Sequence, residues 1–567
     1  IDKAQKLINK KNPEFKVEKI NYEDQKVYEL LSSGKTVGLF QLESSGMKDA
    51  LINMKPNRLE DIIALVALYR PGPMSNIPIY NECKHGKRDP DYLHPKLKEI
   101  LKPTYGVIIY QEQVMQIAQV LSGFTAGEAD ILRRAMGKKK RAELEKQKKR
   151  FVDGAFSNGI KKDIAAGIFL KIEPFAEYGF NKSHAAAYAV IAYQTAFLKT
   201  YYPHEFFVAS MSMELSNQKK LSEFYEELKR LNIPIIRPNI NKSFANFSSD
   251  GKNFYYALGA IKNVGFEAIS NVIKERSKNG EFKNLSDFIN RINPKDINKL
   301  QLEGLVQAGA FDELNDNRQS LFNSIPYIIT KSKNIFENKS LNQIDLFGNE
   351  EKDEINFLEK IDDWNIDTKL AKEFETLGFY ISDHPLNQYK SIFKQYNIID
   401  YNNFEDSSDI LSSNIACTVL KIQEKKTQKG SSYGIIKFSD LSNVFELFIF
   451  SEIFESNRQK LVEGNSVMLT LMKNYVDENK SQKRINAKKI VSLKELINKP
   501  LSNITFKFNE IDDLNKLKNL STKDGDTEVK ILIDKDNKIF KFELKDKRKI
   551  NNQLLNTLNL SENVVIE

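Results

Sequence analysis

The stretch that most constrains this chain is residues 125–150, TAGEADILRRAMGKKKRAELEKQKKR. From Leu132 to Arg150 it holds Arg133, Arg134, Lys138, Lys139, Lys140, Arg141, Lys146, Lys148, Lys149 and Arg150. Only Glu143 and Glu145 oppose them, a local excess of +8 when the whole 567-residue chain carries +9. The rest is close to neutral in sum, and a surplus gathered on one short stretch is the footprint of a polyanion site. A solvated helix face with a lysine run gives the same count. The local grammar tips the balance toward a site. Thr125 and Glu128 have capping-box spacing, which starts a helix. Ile131, Leu132, Ala135 and Met136 are placed to form its buried face, and Gly137 to end it. Arg133 and Arg134 then project from a rigid helix, with Lys138, Lys139 and Lys140 leaving its end. Adjacent guanidinium groups suit phosphate oxygens better than a loose lysine tail does.

A chain of this length predicts three to five domains. Its 41% hydrophobic and 28% charged residues describe a soluble globular protein. No apolar run approaches a membrane span and the start has no signal-peptide pattern, which predicts a cytoplasmic protein with no membrane partner. Cys83 and Cys417 lie far apart, as expected in a reducing compartment. The five histidines are scattered, which argues against a Cys/His zinc site. The chain opens IDKAQKLINKKN without Met, and so reads as cut from something longer.

Residues 1–60 predict helix, loop, helix, with VGLFQLESSGMKDAL (37–51) between turns. DIIALVALYRPGP (61–73) is an apolar helix stopped by Pro71, Gly72 and Pro73, and Arg70 at its end serves as a helix-terminal charge or a ligand contact equally well. Val107 to Tyr110 predicts a short strand. Val114, Ile117, Ala118 and Leu121 follow at helical spacing, with Gln111, Glu112 and Gln113 at the helix start. In residues 172–207, Ser183 is a candidate cap for a helix running to about Tyr201 and closed by Pro203. Asn181, Lys182, Ser183 and His184 gather at that N-terminus, a seat for an anion. A plain cap with a packed His ring is the bland alternative, and a Ser–His nucleophile pair lacks an orienting acid. Two cationic clusters, 133–140 and 181–184, predict a pocket for several phosphates.

Leu258, Ile261, Val264, Gly265, Ala268, Ile269 and Val272 fit a helix-hairpin-helix. There the backbone N–H groups of Lys262, Asn263, Val264 and Gly265 would meet a nucleic-acid phosphate without reading bases. Asn263 stands where the hairpin usually has its first Gly, and Asn tolerates positive φ. Residues 297–314 predict a second such unit or an ordinary helix ending at Gly309. Residues 328–358 lose periodicity and predict a linker. Within it Gln343, Asp345, Leu346 and Phe347 form a Gln-x-Asp-Leu-Phe docking peptide. Residues 370–386 predict helix then strand. Alternating strands from 413 to 493 suggest an OB-type barrel, a shape that holds single-stranded nucleic acid or protein. A small α/β module follows Pro500.

Taken together, VGLFQLESSGMKDAL, DIIALVALYRPGP, YGVIIYQEQVMQIAQVLSGFTAGEADILRRAMGKKK, YGFNKSHAAAYAVIAYQTAFLKTYYP and TLGFYISDHPL resemble the alpha subunit of bacterial DNA polymerase III, the replicative C-family polymerase. The resemblance runs in the family's order across the chain, tightest in residues 35–210. It implies a multidomain protein: a mainly α-helical fingers domain (1–215), a helix-hairpin-helix DNA-binding region (216–330), a linker and clamp-binding region (331–400), an all-β OB-type domain (405–495) and a small α/β tau-binding-like module (500–567). It implies a DNA-directed DNA polymerase acting on primed DNA template and dNTPs. The partners it implies are the beta sliding clamp, the clamp-loader tau subunit and a proofreading exonuclease on a separate subunit. It assigns Arg133, Arg134 and His184 to the incoming triphosphate, with Lys182 and Ser183 beside them. Lys138, Lys139 and Lys140 join the hairpin amides on DNA, and Gln343, Asp345, Leu346 and Phe347 take the clamp. The family's Mg2+ ions sit on three palm aspartates, which the resemblance puts before Ile1 together with the PHP domain. No residue here is assigned to catalysis or metal, and the chain alone is expected to extend nothing. The alternative is a non-catalytic DNA- and clamp-binding scaffold, since hairpin, barrel and docking peptide all survive without a palm.

Overall fold

The computed structural model describes residues 1–567 apart from 138–140, 341–357, 408, 428–429, 443, 476–482, 510–513, 516, 518–522, 536–537, 558–563 and 566–567. At 136–137, 141–142, 174–178, 338–340, 523–524, 535 and 564–565 it describes the backbone alone. Two compact units result: Ile1–Ile236 with Lys242–Ala260, and Arg237–Asn241 with Ile261–Glu567.

The first unit is helical, and seven of its helices position the site: α1 (Leu59–Leu68), α2 (Gln111–Ser122), α3 (Ala126–Gly137), α4 (Arg141–Ser157), α5 (Lys162–Tyr178), α6 (Lys182–Tyr201) and α7 (Gln218–Arg230). From Ile62 onward α1 is apolar all round, and Ile62, Ile63, Leu65 and Leu68 are all buried, as a helix without a polar face must be. It packs along α6. Helices α2 to α5 close over Val114, Ile117, Leu121, Leu132, Phe151 and Phe169. Phe151 sits centrally, its ring 6.3 Å from Phe124 and 5.4 Å from Phe169. A Cβ at Gly154 would lie 2.2 Å from the Ser122 carbonyl oxygen, so the end of α2 presses on α4 where only glycine fits.

Three local expectations are corrected. Ile131 is 51% exposed, and Ala129 takes its place in the buried stripe with Leu132 and Ala135. Val107 to Tyr110 makes no strand; Tyr110 forms a single parallel bridge with Phe180. Asn181, not Ser183, caps α6, accepting from the His184 N–H at 2.8 Å. Asn is as good a cap as Ser, and it came earlier in the chain. The predicted box at α3 is present: Thr125 N donates to Glu128 Oε2 (2.8 Å) and Glu128 N to Thr125 Oγ1 (3.3 Å). Helix α7, placed past residue 215 in the hairpin region by sequence, packs within the first unit, where Glu227 meets Lys199 of α6.

The second unit begins with helices α8 (Phe266–Asn279), α9 (Leu285–Arg291), α10 (Lys299–Gln307), α11 (Arg318–Asn323), α12 (Ile325–Ser340) and α13 (Ile366–Leu377). Helix α12 corrects the expected linker: Ile325 and Ile328 are buried beside Leu285, Phe288 and Leu302, so packing overrides a Lys- and Asn-rich composition through residue 340. The strand expected after α13 is absent; instead Glu373 Oε1 accepts from the Ile381 and Ser382 N–H groups (2.7 and 2.9 Å). A five-stranded antiparallel sheet follows, β1 (Ser412–Lys426), β2 (Ser432–Ser439), β3 (Val444–Ile449), β4 (Ser466–Tyr475) and β5 (Lys483–Ser492), in the order β3-β2-β1-β4-β5. Its two outer strands, β3 and β5, approach each other, which curls the sheet around Ile415, Val419, Phe438, Leu447 and Leu469. Last comes a four-stranded mixed sheet, with β6 (Asn503–Phe508) parallel to β7 (Lys523–Lys535), then β8 (Lys538–Glu543) and β9 (Val564–Val565) on its edges.

Phe151→Ala should remove the centre of the α2–α5 core and cost about 3–5 kcal/mol of stability, read by urea unfolding.

Candidate functional site

The site is built on the start of α2. Gln113 is buried and its side chain is satisfied at both ends: Oε1 accepts from the Ile109 and Tyr110 N–H groups (2.8 and 3.0 Å), and Nε2 donates to Thr104 Oγ1 (2.8 Å). That fixes the approach to α2. The Gln111 N–H then donates to the Phe180 carbonyl and the Phe180 N–H to the Ile109 carbonyl, each at 3.0 Å. These two bonds set the N-termini of α2 and α6 side by side.

One residue of each cationic stretch, Arg133 and Lys182, touches the start of α2. Arg133 Nη1 donates to Gln111 Oε1 at 3.4 Å. The Glu112 carboxylate accepts from the Lys182 N–H (3.0 Å) and from Asn181 Nδ2 (3.0 Å), while Lys182 Nζ lies 5.5 Å from the Tyr110 ring centre. Arg133 and Arg134 are also tied to one carboxylate. Arg133 Nη2 lies 2.7 Å from Asp130 Oδ1 and Arg134 Nη2 2.5 Å from Asp130 Oδ2. The Arg133 hydrogen bond, more than that of Arg134, holds the Asp130 carboxyl below its ordinary range. Arg134 remains largely exposed and Arg133 half-buried. Lys182, Ser183 and His184 are exposed on the first turn of α6.

His184 opens onto a cleft of about 570 Å³ lined by Gln41, Glu43, Ser44, Met47, Val66, Tyr69, Arg70, Phe180 and Tyr188. Its ring packs between Phe180 (5.3 Å) and Tyr188 (4.4 Å), the bland expectation for that ring and a poor posture for a Ser–His nucleophile pair. Arg70 closes the end of α1, where Nε donates to the Ala67 carbonyl, and its guanidinium lies 4.5 Å from the Phe180 ring in the cleft wall.

In the second unit, Asn263 has φ 68°, so it takes the left-handed position expected of it. The four amides of the turn are not equivalent. Lys262 N donates to the Thr376 carbonyl and Val264 N to the Ile261 carbonyl, each at 3.1 Å. The residue before α8, Gly265, gives that helix no side-chain cap. Helix α10 braces the turn from behind, where Gly304 lies so close that a Cβ would stand 2.7 Å from the Lys262 carbonyl oxygen. This assigns residues 297–314 the role of a supporting helix, with an Asn298–Gln301 capping box. On the curled sheet, a cleft of about 640 Å³ is lined by Tyr433, Phe448, Phe450, Lys483 and Arg484, with Glu405 and Glu446 among them. Phe448 and Phe450 are 55% and 60% exposed.

Lys138, Lys139 and Lys140 lie outside the described residues, as do Gln343, Asp345, Leu346 and Phe347. Among the described residues no group of three His, Cys, Asp or Glu could hold a metal ion, and no helix is long and apolar enough to cross a membrane. Sequence reasoning missed Asp130, because the charge count began two residues after it; its i,i+3 and i,i+4 spacing to Arg133 and Arg134 was the available signal. It also passed over Gln41 and Tyr188, for which the sequence offered no signal.

Residues 1–159 match the family model of the bacterial DNA polymerase III alpha subunit finger domain, and residues 232–321 match a helix-hairpin-helix motif. The chain is 40% identical over 530 residues to the DNA polymerase III subunit alpha of Borreliella burgdorferi, covering 92% of this chain and 46% of that protein. It is 41% identical over 471 residues to that of Caulobacter vibrioides (83% and 41%) and 44% identical over 499 residues to that of Rickettsia bellii (83% and 42%). The chain thus spans somewhat less than half the length of these relatives.

Gly304→Ala should force the hairpin away from α10 and cost about 1–3 kcal/mol. Gly127→Ala, with open space around its Cβ in α3, should stay within about 1 kcal/mol of the parent. Thermal unfolding of the two variants side by side checks both.

Proposed function

We propose, from the premise that this chain belongs to the bacterial DNA polymerase III alpha-subunit family, that it serves template-directed DNA synthesis by binding the incoming dNTP and guiding primed DNA. The observation that carries this reading is the junction of α2, α3 and α6. Gln111 accepts from Arg133 and Glu112 from the Lys182 N–H, so residues far apart in sequence come to the start of one helix. Arg133 and Arg134 neutralise triphosphate oxygens as negative charge moves to the leaving group, and Lys182 and Ser183 extend that surface. The Asp130 carboxylate holds the two arginines, and Glu112 the Lys182 N–H, in place until phosphate takes over their hydrogen bonds. The aromatic walls of the neighbouring cleft, Phe180, His184 and Tyr188, suit a base or sugar better than a phosphate.

The hairpin binds duplex phosphate without base readout. Support comes from the left-handed Asn263 and the uncapped start of α8, where unpaired N–H groups favour an anion. The amides of Lys262 and Val264 serve the turn itself, so Asn263, Gly265 and the Lys262 side chain carry the contact. The curled five-stranded sheet is an OB-type barrel, and its cleft, with exposed Phe448 and Phe450 beside Lys483 and Arg484, has the stacking surface and charge that single-stranded nucleic acid requires. Gln343, Asp345, Leu346 and Phe347 tether the chain to the beta sliding clamp, raising its local concentration at the primer end. The last sheet is the docking module for the clamp-loader tau subunit, and proofreading comes from a separate exonuclease subunit. Both of these rest on the family resemblance.

Mg2+, when bound in such enzymes, activates the primer hydroxyl and stabilises pyrophosphate. The described residues offer no carboxylate group that fits it, so no step of nucleotidyl transfer is assigned to this chain's side chains. A non-catalytic scaffold is the second reading; the exposed aromatic cleft on the sheet favours it equally.

Arg133→Ala should weaken dATP binding roughly tenfold, the worth of a charge-assisted hydrogen bond, and primed-DNA binding much less. Equilibrium binding of both ligands checks this, and equal losses would remove Arg133 from the triphosphate site. Deleting Leu346 and Phe347 should abolish clamp capture in a pull-down yet leave primed-DNA affinity intact; unchanged capture would end the docking role of this peptide.

A further inference from the structure

One side of the His184 cleft is a loop. Residues 35–44 contribute Gln41, Glu43 and Ser44 to its wall, opposite His184 and Tyr188 of α6. A loop does not hold such a wall in place unaided, and this one is strained: Gln41 has φ 64°. What fixes it is a buried cation. Lys199 of α6 is 2% exposed. Its ammonium has three donors and three partners: the Lys35 carbonyl (2.8 Å), the Val37 carbonyl (2.8 Å) and Glu227 Oε1 of α7 (2.6 Å). No donor is left over, and the charge is balanced by a carboxylate that is itself buried. Burial is nonetheless the largest influence on this ammonium and draws its pKa down to about 8, against the pull of Glu227.

Other contacts extend the anchorage. The Phe40 N–H donates to Thr195 Oγ1 (3.3 Å), one helical turn before Lys199 on α6. Thr36 Oγ1 donates to the Leu42 carbonyl (2.6 Å), closing the loop on itself. Lys220 of α7 pairs with Glu43 (2.9 Å) at the rim. Positions 188, 195 and 199 lie on one face of α6 at i, i+7 and i+11. The same helix face thus presents Tyr188 to the cleft and, further along, holds the backbone of the opposite wall.

We propose that Lys199 is the positioning residue of the nucleotide cleft: by binding the Lys35 and Val37 carbonyls against Glu227 it sets the distance between the Gln41–Ser44 wall and the His184–Tyr188 wall. Its assignment to a nucleotide cleft rests on the function proposed above; its hold on the loop does not. Lys199 touches no ligand itself. The groups that bear on its charge are Glu227, Arg230 and Lys48, and Glu227 keeps a second partner in Arg230 (Nε, 2.8 Å) when Lys199 is replaced.

The test uses Lys199→Met and Glu227→Gln in the full chain. Hydrogen exchange is followed at the amides of 36–43, with those of α1 as the internal control. Lys199→Met should speed exchange at Gly38 and Phe40 roughly tenfold or more while α1 is unchanged. It should also weaken dATP binding roughly fivefold or more at a temperature where both proteins are folded, the expected result of loosening one wall of a preorganised site. Glu227→Gln, which leaves the ammonium an oxygen but no balancing charge, should speed exchange in 36–43 in the same direction as Lys199→Met. Unchanged exchange in 36–43 overturns the proposal whatever dATP does. Parent protein that binds no dATP overturns the nucleotide reading and leaves the exchange result to judge Lys199. Faster exchange with unaltered dATP affinity shows that the wall is not part of the nucleotide cleft and overturns the positioning role.

If Lys199→Met does not fold, the parent is compared at about pH 7 and about pH 9.5 after correction for intrinsic exchange. Loss of the proton removes one of three donors, so protection in 36–43 should fall through about pH 8. The sign separates this from unfolding. A lysine whose folded pKa lies below its ordinary 10.5 favours the folded state increasingly as pH rises between the two values. Local loosening therefore coincides with a global contribution in the opposite direction, and protection that does not change with pH overturns the proposal.

Discussion

The pair of backbone hydrogen bonds between residues 109–111 and Phe180 is the constraint on which the rest of the first unit's chemistry depends. Two helices that start about seventy residues apart in sequence begin side by side because of it. Gln113 makes the pairing possible by satisfying the buried Ile109 and Tyr110 amides from within. With that segment fixed, Glu112 falls over the first turn of α6 and Gln111 within reach of Arg133. Arg133 and Lys182 come to the start of the same helix because the backbone brings them there; their own charges would drive them apart.

That repulsion explains the acidic residues that thread the site. Arg133 and Arg134 on adjacent positions of a helix share Asp130, and the N-terminus of α6 receives a carboxylate from Glu112 in addition to its Asn181 cap. A surface of the kind proposed, one that meets several phosphates, must be stable before they arrive. Carboxylates at i−3 and i−4, or on the neighbouring helix, do this at modest strength because the pairs are partly exposed and screened by water. Under the proposed function a triphosphate, with more charge and more acceptor oxygens, would compete for the same donors. The buried Lys199–Glu227 pair serves a different end. It lies away from the anion-facing surface, where exchange with solvent or ligand is closed off, and it fixes backbone.

Much of this was legible in the sequence where the cause is local. The Thr125–Glu128 box, the apolar α1, the left-handed Asn263 and the alternating strands of the curled sheet each follow from residue types within a few positions of one another. Asp130 and the Ala129-for-Ile131 exchange are local misses; in the others a distant partner decided the outcome. Val107 to Tyr110 has strand composition but only one residue of Phe180's segment to pair with. Residues 328–340 look like linker until Leu285 and Phe288 supply an apolar surface for Ile325 and Ile328. Ser183 is a competent cap, and lost to Asn181 because Phe180, fixed by its bridge to Tyr110, sets where α6 begins. The site residues were found as two charged clusters, yet their convergence was an inference from charge alone; Gln111 and Glu112, which join them, had been noted only as a polar cluster.

The hairpin in the second unit obeys the same logic as the first unit's junction. A turn that is to offer N–H groups to a phosphate, as proposed for this one, must still hold its own shape in the absence of one. Lys262 and Val264 give their amides to Thr376 and Ile261 for that purpose, and Gly304 lets α10 close on the carbonyl side without a Cβ between them. The amides on the far side of the turn and at the uncapped start of α8 are then held in a fixed direction at no cost to the turn. Preorganisation here means dividing the backbone donors: those needed for shape are satisfied inside, and those at the rim are left facing water, which a phosphate can replace.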